Sequence, residues 1–255
     1  SNTPSGTGFL QVAGGGDHSL ALRADGSIVS WGRNANKQVS DTPLSNWFIQ
    51  VAAGGYHSVA LRSTGSIVSW GRNSKNAPTI AKTPTGQGFV QVSAGEKHSL
   101  ALRYNGSIVS WGRNNSKQVS NTPPGTGFVQ IAGGGEHSLA LHADGSIAAW
   151  GWGGWGQTSA PPGTGFIQVA AGYSHSVALR ADGSIVSWGR DDKGQVSNTP
   201  TGTGFVQVAA GYLHSLAVRS DGTVKGWGFN SVGQAGGNPP WTVFEQVAAG
   251  GFHSV

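Results

Sequence analysis

The sequence predicts an all-β propeller, a ring of antiparallel blades, and three observations carry that expectation. A unit of about forty residues recurs along the chain. Each unit alternates apolar and polar residues with a period of two. Its segments are punctuated by Asp-Gly, Asn-Gly and Thr-Pro-x-Gly turns, with no stretch of capped helical period.

The repeat is read most directly from His-Ser, at His18, His57, His98, His137, His175, His214 and His253, spaced by 38 to 41 residues. Trp-Gly follows the same rhythm at Trp31, Trp70, Trp111, Trp150, Trp188 and Trp227. Six full units span 9–47, 48–88, 89–127, 128–165, 166–204 and 205–243. Residues 1–8 read as the tail of a preceding unit and 244–255 as the head of a further one, within a single domain over 1–255.

Within a unit, FxQVA alternates as a half-buried strand and HSLALR is the second strand. Asp-Gly or Asn-Gly then turns the chain, because Gly accepts positive φ. SIVSWG is the third strand and QVS a short fourth. One such unit cannot bury both its faces alone. Stacking units around an axis buries them and protects the strand edges.

Composition narrows the classes. There are 43 glycines in 255 residues, where ordinary usage is about 7%. Ten tryptophans, 37% hydrophobic and only 11% charged residues oppose disorder. Glycine lacks the period of three that collagen needs, and no run of eighteen apolar residues marks a membrane span. Cysteine is absent, which excludes disulfides, thiolate metal sites and cysteine nucleophiles. Methionine is absent too, so the chain reads as a processed product or a fragment. The net charge of +5 is spread along the chain without basic blocks and does not imply nucleic acid.

The pattern HSLAL-x-x-DG-x-I-x-S-WG-x-N-x-x-x-Q resembles the RCC1 (regulator of chromosome condensation) repeat, in every unit. The resemblance implies a seven-bladed propeller of four-stranded blades, whereas the period alone allows six or seven. The short units are most similar to compact bacterial members, which include the secreted propeller β-lactamase inhibitor type of Streptomyces. A secreted or cell-surface bacterial setting is implied on the same ground. Head and tail together supply only about half of a seventh unit, so the seventh blade is expected to be incomplete and ring closure imperfect.

Function is expected on one face. In an up-and-down blade the first and third turns share one side of the ring, and the second turn and inter-unit loop share the other. The second turn is nearly constant, and so is the inter-unit loop, apart from Trp47 and Trp241. The first and third turns vary. They carry Tyr56, Glu96, Lys97, Glu136, Trp152, Trp155, Tyr173, Tyr212, Phe229 and Phe252 as candidate partner-binding residues, with Lys75, Asp191 and Asp192 among them. Aromatic anchors in a polar rim suit a protein interface. The bland alternative is drift in tolerant loops.

The repeated histidines are expected to make a structural hydrogen bond inside each blade, since separate blades cannot bring three or four imidazoles to one zinc. Arg33, Arg72, Arg113 and Arg190 read as solvated residues or blade-to-blade ion pairs, and His142, standing where other units have Arg, as surface drift. P-loop, GxSxG and HExxH motifs are absent, and no catalytic residue, metal or cofactor is expected. The expected function is a non-catalytic module that binds a protein, with enzyme inhibition, glycan binding and self-association through the incomplete blade as the finer alternatives.

Overall fold

The structure, a computed structural model, describes residues 3–72, 80–236 and 244–255. Lys75 and Trp241, named above, lie outside the described residues. Six sheets are present among the described residues, each a three-stranded meander. The first comprises β1 (Phe9–Gly14), β2 (His18–Arg23) and β3 (Ile28–Gly32), and the sixth comprises β16 (Phe205–Ala210), β17 (His214–Arg219) and β18 (Val224–Gly228).

This corrects the expectation of seven four-stranded blades: the propeller has six blades of three strands. The QVS segment forms turns because its amides are taken locally. Asn34 Oδ1 accepts the Val39 and Ser40 amides at 3.0 and 2.9 Å. Asn114 does the same for Val119 and Ser120, and Asp191 for Val196 and Ser197. Backbone donors held by a side chain of their own loop are not available to a ladder. The last segment, 244–255, likewise forms no sheet and contributes one isolated bridge, Ala249 to Ser254.

Every first strand carries a bulge between its Phe and its Gln, as between Phe9 and Gln11. The extra residue shifts the pleat phase, so that Phe and the Val or Ile three positions later face the same way. In five blades both are buried, as Phe48 and Val51 are, while the residue after Phe is exposed.

The core lies between blades. Leu20, Leu22 and Ile28 of the first blade pack on Phe48, Val51, Ala60 and Trp70 of the second, and the same set recurs down the chain. Each interface has a polar seam. His137 Nε2 lies 2.9 Å from Ser176 Oγ of the next blade. Ser176 donates to the Gln157 carbonyl at 3.0 Å, which also accepts from Trp188 Nε1 at 2.9 Å. Since the serine proton goes to the carbonyl, the imidazole must be the donor to the serine oxygen. One short relay thus explains why His-Ser, Trp-Gly and Gln repeat together. It also corrects the expectation of a bond inside each blade, for the histidine bond joins neighbouring blades.

The relay closes on itself. His214 reaches Ser254 at 3.1 Å, and His253 reaches Ser19 of the first blade at 2.8 Å. Nearer the axis, the Gly251 amide donates to Gly15 O at 2.8 Å and the Val12 amide to Gln246 Oε1 at 3.3 Å. The C-terminal segment therefore packs on the sixth blade through Val247 and reaches the first by these hydrogen bonds, without a sheet of its own. The seventh position is thus incomplete, as expected, and β1 and Trp31 of the first blade stay less buried than their equivalents.

Candidate binding face

The first turns converge on the axis. Gly15, Gly54, Gly95, Gly134, Gly172, Gly211 and Gly250 stand at equivalent places. A Cβ on Gly95 would fall within 2.4 Å of both Gly134 O and the His98 ring, so only glycine fits there. Amides one position on link the turns: Gly16 to Gly54 O at 3.1 Å, Glu96 to Gly134 O at 3.0 Å and Tyr173 to Gly211 O at 3.2 Å. The third turns lie on the same side, because Arg33, Arg113 and Arg190 donate their amides to Asp17, Lys97 and Ser174 carbonyls of the first turns.

The aromatic candidates fall into two groups. Tyr173 and Tyr212 are in contact, with ring centroids 5.0 Å apart, and Phe252 meets Tyr212 edge-on at 5.9 Å. These belong to the fifth and sixth units and the C-terminal segment, so one continuous run crosses two blade boundaries. In the second group, the Arg190 guanidinium covers Trp155 at 5.4 Å and is itself held by Asp192 through two bonds of 2.6 and 2.8 Å. Trp152 and Trp155 are 39% and 53% exposed, and the Trp152 ring lies over Gly154.

The charged candidates are already paired. Tyr56 is flanked by Arg72 at 5.3 Å and Lys97 at 6.0 Å. Glu136 joins Arg113 of the preceding unit at 3.1 Å and Ser116 Oγ at 2.8 Å. Glu96 bonds Lys97 at 2.9 Å and is only 8% exposed, so it sits inside the face rather than on its rim. Phe229 is half-buried and the structure does not join it to either aromatic group. Burial, then the Glu96 charge, raises the Tyr173 pKa above its ordinary value. Tyr212 is raised more strongly by the same two causes in the same order. Both hydroxyls therefore stay protonated at neutral pH.

The axial cavity under this face measures about 60 Å³ and is lined mostly by glycine and alanine. A site for a drug-sized ligand needs roughly 300 Å³ or more, so the axis is no substrate pocket. Among the described residues no three His, Asp or Glu are grouped to hold a metal.

Sequence reasoning missed two features. Arg23, Arg62, Arg103, Arg180 and Arg219 each cap the Phe that opens their blade. His142 is no drift: its ring stacks on Phe128 at 4.0 Å and does the same work. The second is an aliphatic ring at the opposite mouth of the channel, formed by Leu10, Ile49, Val90, Val129, Ile167 and Val206, all 52% to 66% exposed. The aliphatic residue in the FxQ of each of the six full units is its visible signal, but strict alternation does not reveal the bulge that turns it outward.

The regulator of chromosome condensation (RCC1) repeat family matches residues 9–38, 48–77, 89–118, 128–157, 166–195 and 205–234. No curated protein matches the chain in overall sequence. Among solved structures, Prp20p of Saccharomyces cerevisiae is similar with a TM-score of 0.79 and 24% identity, over 95% of this chain and 80% of that one. Human WBSCR16 gives 0.77 and 20%, over 96% and 85%. The ACR4 receptor kinase ectodomain of Arabidopsis thaliana gives 0.76 and 23%, over 95% and 89%. These likenesses are of fold. With six matched repeats covering more than half its length, the chain belongs to the RCC1 repeat family.

Proposed function

We propose that the chain is a non-catalytic binding module that docks a protein on the face built by its first and third turns. The observation that carries this reading is the contact run Tyr173–Tyr212–Phe252. It lies on the same face as the exposed Trp152 and Trp155. Aromatic rings backed by arginine and ringed by charge are the groups that dominate binding energy in protein interfaces. These residues depart from the repeat, so they give the face an identity that the repeated residues cannot. Prp20p is described by its binding to Gsp1p and histones, and yeast RCC1 by a complex with Kap60, so protein binding has precedent on this fold. Fold alone does not select the partner.

The finer reading is inhibition of an enzyme, with a secreted bacterial setting, and it rests on the likeness to the compact members. The test is affinity capture with the whole chain, followed by titration of the captured protein. Trp155→Ala together with Tyr212→Ala should weaken binding at least about a hundredfold, since hot-spot truncations cost about 2 kcal/mol or more each. Unchanged affinity would refute the face. Capture of glycans in place of protein would favour the lectin-like alternative, and a concentration-dependent dimer with no other partner would favour self-association.

A further inference from the structure

At the axial position of the first turns, the six blades and the C-terminal segment carry Gly16, Gly55, Glu96, Gly135, Tyr173, Tyr212 and Gly251. Four are glycines, so three side chains share the mouth of the channel. The glycines make room for them. Glu96 Cγ lies 2.8 Å from where a Cβ on Gly55 would stand, Tyr212 Oη 3.0 Å from that of Gly16, and Tyr173 Cδ2 3.1 Å from that of Gly135. Three bulky groups therefore lean inward over a ring of positions that cannot carry side chains of their own.

Glu96 is the unusual member. Its side chain is 7% exposed and lines the axial cavity. One carboxylate oxygen, Oε1, takes Lys97 at 2.9 Å. The other, Oε2, is buried and has no close hydrogen-bond partner among the described residues, although the Tyr173 hydroxyl interacts with the same carboxylate. An unmatched buried carboxylate oxygen is costly and calls for a donor. Tyr173 and Tyr212, in mutual contact at 5.0 Å, add two aromatic rings at the same mouth. A carboxylate beside aromatic faces is the chemistry that recognises an organic cation, by a charge-assisted hydrogen bond and by the negative face of the rings. The cavity of about 60 Å³ admits a compact head group and excludes a larger ligand.

We propose that the channel mouth formed by Glu96, Tyr173 and Tyr212 is a cation pocket that takes the ammonium head of a lysine side chain projecting from the partner protein. This deepens the reading of the turn face as a protein-binding face and rests on it. The aromatic groups outside the pocket supply area, and the pocket supplies register, because a lysine must stand on the propeller axis for the two surfaces to meet.

The test uses the whole chain, ¹⁵N-labelled and titrated with n-butylammonium chloride, with n-butanol as the neutral control and sodium chloride to match ionic strength. Saturable shifts are expected at the Gly95, Glu96, Gly134 and Tyr212 amides with the cation and not with the alcohol. Glu96→Gln should weaken the cation at least about tenfold, the loss of one charge-assisted bond. Tyr212→Leu, which leaves the carboxylate in place, should weaken it severalfold and serves if the Gln variant loses its dispersed spectrum. No saturation, equal shifts with butanol, or an undiminished response in these variants would overturn the pocket. A partner that binds Glu96→Gln as tightly as the parent, yet is lost in Trp155→Ala with Tyr212→Ala, would refute the pocket and leave the face standing.

Discussion

Trp150 and Trp155 stand close in the chain and answer to different physics. Trp150 is 5% exposed, packs across a blade boundary and donates to the Gln118 carbonyl at 3.0 Å. Trp150→Ala should therefore cost about 3–5 kcal/mol, the range for deleting a core aromatic. Trp155→Ala removes a half-exposed ring and should change stability by no more than about 0.5 kcal/mol. Denaturant unfolding of both variants checks the pair, and equal losses would erase the division between wall and face. The glycine of Trp-Gly is equally constrained. Gly112 has φ +106°, and a Cβ there would stand 2.7 Å from Lys97 O. Gly112→Ala should destabilise by more than about 1 kcal/mol, read from the same unfolding curves. The two tryptophan classes were legible in the sequence because one recurs and the other does not. The place of Glu96 was not, since its burial depends on Gly55 in the neighbouring unit making room for it.

At the scale of elements, three strands per unit were legible and the fourth was not. Alternation and Asp-Gly punctuation mark FxQVA, HSLALR and SIVSWG unambiguously. QVS has the composition of a strand, but Asn34 and its equivalents hold its amides, and that competition is invisible to a pattern of apolar residues. The histidines make the seams acid-sensitive. Burial is the first cause in every case: it lowers His18, His98 and His214 to about 4 and His57, His137 and His175 to about 3, from an ordinary 6.5. The folded protein keeps them neutral, while the unfolded chain takes up protons below about pH 6.5. Their contribution is thus complete above pH 6.5 and is lost as the pH falls toward 4. Melting temperature should drop steeply between pH 7 and pH 4.5, roughly where the unfolded chain charges its histidines. His98→Gln should make that slope shallower. A flat profile across this range would contradict the neutral His–Ser relay.

For the whole molecule, the ring depends on residues that no repeat count identifies. Equal modules announce a closed array, but six and seven members differ by small rotations per blade, and the period does not measure rotation. The C-terminal segment closes the circle through His253 to Ser19 and Gly251 to Gly15. The up-and-down path of every blade makes the two sides of the ring inequivalent. One mouth carries the aliphatic residues written into each full repeat, and the other carries the residues that break the repeat. The most direct measurement places a photo-crosslinking benzoylphenylalanine at position 155 or at position 49 of the whole chain and maps adducts with the captured partner. Crosslinking from position 155 and not from 49 is the predicted result. Adducts confined to position 49 would move recognition to the aliphatic mouth and contradict the account.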